Sequence, residues 1–122
     1  MDTQVSWMLE VAVKPGQLET LRVLMREMVG STRAEPGALG YEWFVGDDGG
    51  VVLLAERYAD SAAALAHLAA FGERFAGRFL AAVDPTRFTV MGCPSDAVKA
   101  ALGGFDPAYL RPFGGFVREI GT

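Results

Sequence analysis

Hydrophobic and polar residues alternate from Val5 to Val13, with Val5, Trp7, Leu9, Val11 and Val13 on one side and Ser6, Met8, Glu10 and Ala12 on the other. A period of two marks a strand with unlike faces. Lys14-Pro15-Gly16 breaks the pattern, and the period then lengthens. From about Gln17 to Arg33, Leu18, Leu21, Met25 and Met28 recur at helical spacing, with Glu19, Arg22, Arg26 and Glu27 on the wet side. Glu35-Pro36-Gly37 stops this helix, because proline disfavours helical backbone in the residue before it. Leu39 to Gly46 reads as a second strand. Asp47-Asp48-Gly49-Gly50 is a hairpin turn whose glycines accept positive φ, and Val51 to Tyr58 is the third strand.

The second half repeats the plan. Asp60 or Ser61 is a good N-cap, and Leu65, Leu68, Phe75 and Phe79 form the core stripe of a second helix. Gly72 and Gly77 predict a kink or two shorter helices. Asp84-Pro85 ends the segment, and Thr86 to Cys93 is the fourth strand. A strand-helix-strand unit thus occurs twice, over Val5–Gly46 and Val51–Gly92. That duplication predicts four antiparallel strands in the order 4-1-3-2 with two helices on one face. The other face is expected to be apolar and to be covered by a second copy.

Residues 1–93 make up this unit and residues 94–122 an extension. Pro94-Ser95 caps a short helix from Asp96 to Leu102, ended by Gly103-Gly104. Phe105, Tyr109, Leu110, Phe113 and Phe116 follow. Burying each would stabilise the protein by roughly 1.5–3 kcal/mol, so the tail is expected to dock, across a second subunit rather than on its own core.

With 122 residues, 51% of them apolar, the chain is one ordered domain. Fifteen acidic against eleven basic residues give a net charge of -4, which argues against nucleic acid and anionic membrane surfaces as partners. Cys93 is the only cysteine, so no disulfide forms within the chain. The start, Met1-Asp2-Thr3-Gln4, lacks the pattern of a signal peptide, and no apolar run reaches the ~18 residues of a membrane span. A cytoplasmic protein is expected.

One His and one Cys do not make a zinc site of the usual type. No GxGxxG, GxxxxGK[ST] or GxSxG occurs, so dinucleotide, P-loop and nucleophile-elbow chemistry have no support. An enzyme here is expected to work without metal or cofactor. His67 titrates nearest neutrality and shares a helical stripe with Phe71, Arg74 and Arg78. The two arginines would favour a neutral imidazole, the form needed in a general base; the alternative is an idle surface histidine. Glu10, Glu42 and Glu56 lie on three strands and either share a face as a carboxyl cluster or pair with Arg57 and Arg87. Tyr41 and Tyr58 carry hydroxyls near strand ends, where they can meet a pocket, and Cys93 is expected to be small and buried.

Glu35-Pro36-Gly37-Ala38-Leu39-Gly40-Tyr41, then Glu56-Arg57-Tyr58, Asp60-Ser61-Ala62 and His67, together resemble the antibiotic biosynthesis monooxygenase family over roughly Val5 to Cys93. The resemblance implies a ferredoxin-like α+β subunit, a dimeric α+β barrel and a small pocket between sheet and helices. It also implies cofactor-independent oxygenation of a small aromatic such as a quinol or polyketide intermediate by O₂. In that scheme His67 is proton acceptor or orienter, Tyr41, Tyr58 and Arg74 contact substrate, and Glu56 is a supporting anchor. The chain departs from the family in having no asparagine, and neither Trp7 nor Trp43 lies on a helix, which argues against haem degradation. Two other readings use the same fold: a non-catalytic ligand-binding or dimerisation module, and an isomerase or lyase that moves protons without O₂.

Overall fold

The computed structural model describes residues 3–118. The first two residues of the predicted N-terminus and the last four of the extension lie outside them. Five strands, β1 (Val5–Val13), β2 (Ala38–Val45), β3 (Val51–Tyr58), β4 (Val83–Gly92) and β5 (Ala108–Leu110), form one sheet in the order β2-β3-β1-β4-β5. Helices α1 (Leu18–Arg33), α2 (Ser61–Arg74), α3 (Ala76–Ala82) and α4 (Asp96–Leu102) accompany it. The first four strands are antiparallel in the predicted order. The expected four-stranded sheet gains a fifth strand because the extension returns beside β4 in parallel, pairing Val90 with Tyr109.

Alternation in β1 and β3 sends Val5, Trp7, Leu9, Val11, Val52 and Leu54 into the layer between sheet and helices. From α1, Leu21, Leu24, Met28 and Thr32 are buried, whereas Leu18 and Met25 sit half-buried at the margin. The buried stripe is therefore rotated slightly from the predicted one. The second helical segment does divide, at Phe75, between the two glycines. Phe75 leaves helical geometry, and the new helix brings Phe79 into the core. Asp60 is the N-cap, its Oδ1 accepting from the Ala63 N–H at 2.8 Å.

β4 begins earlier than predicted and includes Asp84-Pro85. A register shift opposite Glu10 and Val11 creates a bulge there, where a proline takes nothing from the ladder. At its far end Gly92 has φ +109°, and a Cβ there would lie 2.5 Å from the Gln4 carbonyl oxygen. The chain turns off the sheet at this glycine, which leaves Cys93 exposed rather than buried.

The face away from the helices is mixed rather than simply apolar. By alternation it carries Met8, Leu53, Ala55 and Met91, but also Glu10 directly opposite Arg87, and Arg57. Val98 and Leu102 of the extension are buried, and Phe105 packs edge-on against Phe88. Tyr109, Leu110, Phe113, Phe116 and Val117 find no such cover from their own chain. Among the described residues no helix is long and apolar enough to cross a membrane.

Phe79 is fully buried, edge-on to both Trp43 and Phe71. Phe79→Ala should lower unfolding free energy by about 3–5 kcal/mol in urea titrations. The exposed neighbour change Leu80→Ala should stay within about 0.5 kcal/mol.

Candidate active site

Inward alternation on β3 brings Glu56 and Tyr58 into the same layer as Val52 and Leu54. Glu56 is only 7% exposed, between Trp7 and Tyr41 on the flanking strands. A carboxylate so placed needs compensation. The Tyr58 hydroxyl donates to Glu56 Oε1 at 2.5 Å, and His67 Nε2 lies 3.3 Å from the same oxygen. His67 comes from α2 and is itself 6% exposed. Its other nitrogen, Nδ1, faces Glu35 at 3.2 Å from Oε1 and 3.3 Å from Oε2.

Glu35 reaches this position because the turn after α1 is pressed against α2. A Cβ on Gly37 would collide with the Ala63 side chain. The Gly37 carbonyl also accepts from the Ala59 N–H at 2.9 Å. Ala63 and His67 are four residues apart and share a helix face, so the close approach at Gly37 carries Glu35 onto the imidazole. The glycine of the Glu35-Pro36-Gly37 stretch thus acts beyond ending a helix.

Burial by itself would pull the His67 pKa down. The Glu56 carboxylate first, and Glu35 second, more than reverse this, so the pKa lies above its ordinary value near 6.5. The two carboxylates thus favour the imidazolium, where neighbouring arginines would have favoured the neutral base. Those arginines are engaged elsewhere: Arg74 Nη1 donates to Ser31 Oγ at 3.3 Å, and Arg78 Nη1 to both oxygens of Glu27 at 3.1 Å. Both reach across to α1, away from the imidazole. Burial, then the charge of Glu56, pushes the Tyr58 and Tyr41 phenols well above the usual tyrosine range, so both stay protonated. For Tyr41 the nearby Trp43 and Thr32 side chains offset part of this. Trp43 Nε1 is nonetheless buried without a well-aligned hydrogen-bond partner.

A cavity of about 40 Å³ lies between sheet and α2. Tyr41, Glu56 and His67 form its polar end, and rings including Trp7, Phe71 and Phe88 its walls. Leu102 and Phe105 of the extension close one side. Of the predicted site residues, His67, Glu56 and Tyr41 are brought together here. Tyr58 stands behind Glu56, fully buried and not on the wall, and Arg74 is exposed outside the cavity. The three strand glutamates do not share a face: Glu10 and Glu42 alternate outward while Glu56 points in. Glu35 was not predicted as a site residue, since its only visible signal was the glycine two positions on. Among the described residues no group of three or more His, Cys, Asp or Glu is arranged to hold a metal ion.

A family model for antibiotic biosynthesis monooxygenases matches residues 5–70. Among solved structures, MupZ from Pseudomonas fluorescens is similar with a TM-score of 0.84 at 22% identity, over 97% of this chain and 91% of that one. Rv0793 from Mycobacterium tuberculosis is 28% identical, with a TM-score of 0.59 over 76% of this chain and 96% of its own. The N63A mutant of SnoaB, a cofactor-independent oxygenase from Streptomyces nogalater, has a TM-score of 0.64 at 14% identity, over 72% and 90% of the two chains. The likenesses to MupZ and SnoaB are likenesses of fold. No curated protein shows significant similarity to the sequence.

Removing the imidazole strands the buried Glu56 carboxylate, so His67→Ala should destabilise by about 3–5 kcal/mol. A pKa raised on folding stabilises fully below about pH 6.5 and loses that contribution as pH climbs through the folded value. The stability gap between the unaltered chain and His67→Gln should therefore narrow from pH 6 to pH 9 in thermal melts. Gly37→Ala should push the turn off α2 and lower the His67 pKa, read by NMR titration of the single imidazole.

Proposed function

The chain belongs to the antibiotic biosynthesis monooxygenase family, and from that membership we propose that it is a cofactor-independent monooxygenase of a small, electron-rich aromatic of the quinol or polyketide type. One observation carries the reading: a carboxylate–imidazole–carboxylate chain, buried at Glu56 and His67, ends on an otherwise apolar cavity. Once deprotonated, a phenol or quinol can pass an electron to O₂ itself, so the substrate takes the part usually played by a cofactor. It supplies all the electrons that one O₂ takes up; one oxygen atom enters the product and the other leaves as water. The protein needs a proton acceptor, donors for the developing oxyanion and exclusion of water. Glu35, His67 and Glu56 serve the first need, the protonated Tyr41 hydroxyl the second and the aromatic walls the third. The shared fold with SnoaB, a cofactor-independent oxygenase, is in keeping with this.

The cavity is smaller than the ~150 Å³ that holds a benzene ring in an engineered protein core. Binding an aromatic therefore requires a wall to move. Phe105 is the part proposed to move, because it is only partly buried and follows Gly103 and Gly104, which have open space around them. Two copies joined through the mixed sheet face, with the exposed tail rings of each laid on the other, complete the proposed assembly. An isomerase using the same proton-handling groups is the second reading, and the small volume of the cavity, which leaves little room for O₂ beside a guest, favours it.

Oxygen-electrode assays with 1,4-naphthohydroquinone should show enzyme-dependent uptake above the autoxidation rate. Tyr41→Phe should lower turnover by about 10²-fold, as for loss of one oxyanion donor. Proton exchange of the probe without uptake would favour the isomerase and sink the oxygenase.

A further inference from the structure

Resting on the proton-handling site proposed above, we infer that Glu56, not His67, takes the proton from the substrate, and that His67 and Glu35 are positioning residues that hold Glu56 for that task. Both nitrogens of His67 are occupied by carboxylates, Nδ1 by Glu35 at 3.2 Å and Nε2 by Glu56 at 3.3 Å. The ring has no third nitrogen, so it meets a guest only through carbon. Glu56 is the opposite case. Its Oε1 receives both the Tyr58 hydroxyl and the His67 Nε2 contact. Among the described residues nothing donates to Oε2, and Glu56 lines the cavity. A carboxylate fixed by one oxygen and free at the other is the arrangement a general base requires.

In the step, the substrate O–H bond breaks, the electron pair stays on the substrate oxygen, and the proton moves to Glu56 Oε2. The imidazolium keeps Glu56 oriented and limits the cost of its buried charge before transfer. Glu35 acts one contact further out, holding His67 charged and its ring plane set, as a carboxylate behind a histidine does in other catalytic sites. The groups facing His67 are Glu35 from the turn after α1, Tyr41 from β2, and Glu56 and Tyr58 from β3, while β1 presents the neutral Trp7. Arg74, on its own helix, is turned to Ser31.

Two measurements decide the matter. The first needs no substrate: ¹⁵N NMR of the imidazole at pH 7 should show both nitrogens protonated. Glu35→Gln should lower its titration midpoint by about 1 unit or more, the usual effect of removing an opposite charge. A singly protonated ring with a free nitrogen at pH 7 would overturn the assignment, whatever happens to oxygen uptake. The second is turnover of 1,4-naphthohydroquinone by folded variants, with near-UV circular dichroism as the check on folding. Glu56→Gln should lose at least about 10²–10⁴-fold, the range for a removed general base. His67→Gln keeps a donor beside Glu56 and should lose only about tenfold, one hydrogen bond's worth. Glu35→Gln should move the alkaline fall in turnover to lower pH, because the imidazolium is lost sooner; an effect on packing alone would leave that limb in place. If His67→Gln is as inactive as Glu56→Gln, or Glu56→Gln turns over as well as His67→Gln, the roles are reversed. Absence of uptake by the unaltered chain would count against the oxygenase reading only, and the NMR arm would still judge the assignment.

Discussion

A buried carboxylate and imidazole, Glu56 and His67, joined to the half-buried Glu35, constrain this molecule more than any other feature. Glu56 stands on the sheet, His67 on α2 above it and Glu35 on the turn that α2 presses against. Each would be costly alone in an apolar layer, and the set persists because every charge faces an opposite one. That requirement fixes the height of α2 over β3 and the depth to which the turn after α1 sinks. Gly37 against Ala63 is the packing counterpart of the same requirement. Apolar residues of equal volume often hold a sheet and helix together as well or better, so this polar set is not by itself a source of stability.

The cavity inherits its character from that arrangement. One end is set by Glu56, His67 and Tyr41, and everything else in contact is ring or aliphatic. Water has little to bind there, and the electrostatic effects of the polar end are correspondingly strong. The extension contributes to the same space: α4 is anchored by Val98 and Leu102, and Phe105 meets Phe88 across the cavity wall. Beyond it, β5 lengthens the sheet and carries exposed rings away from the chain's own core. The segment thus both closes the cavity and extends the sheet.

Residue patterning made the strand-helix-strand duplication legible, along with β1, β3 and the break in the second helical segment, because alternation and helical spacing are local properties that burial then enforces. Asp60 as a cap and the hairpin turn at Asp47 to Gly50 were visible for the same reason. The errors have equally local causes. Pro85 reads as a terminator unless a bulge receives it, and bulges depend on the partner strand. His67 lies on a stripe with Arg74 and Arg78, yet long arginine side chains follow their partners, here Ser31 and Glu27 on α1. Spacing along one helix placed two cations near the imidazole; packing between elements supplied two carboxylates instead.

What the sequence determined alone is the period of each element, the order in which elements occur, the family to which the chain belongs, and the supply of one imidazole among several carboxyls and phenols. What the tertiary structure decided is which of these meet. Glu35 and His67 are 32 residues apart and come within hydrogen-bonding reach only because a glycine lets a turn lie on a helix. The sign of the charge around His67, and hence the upward direction of its pKa, follows from that meeting. Electrostatic energy depends on distance in space and on burial, and neither is a property of position along the chain.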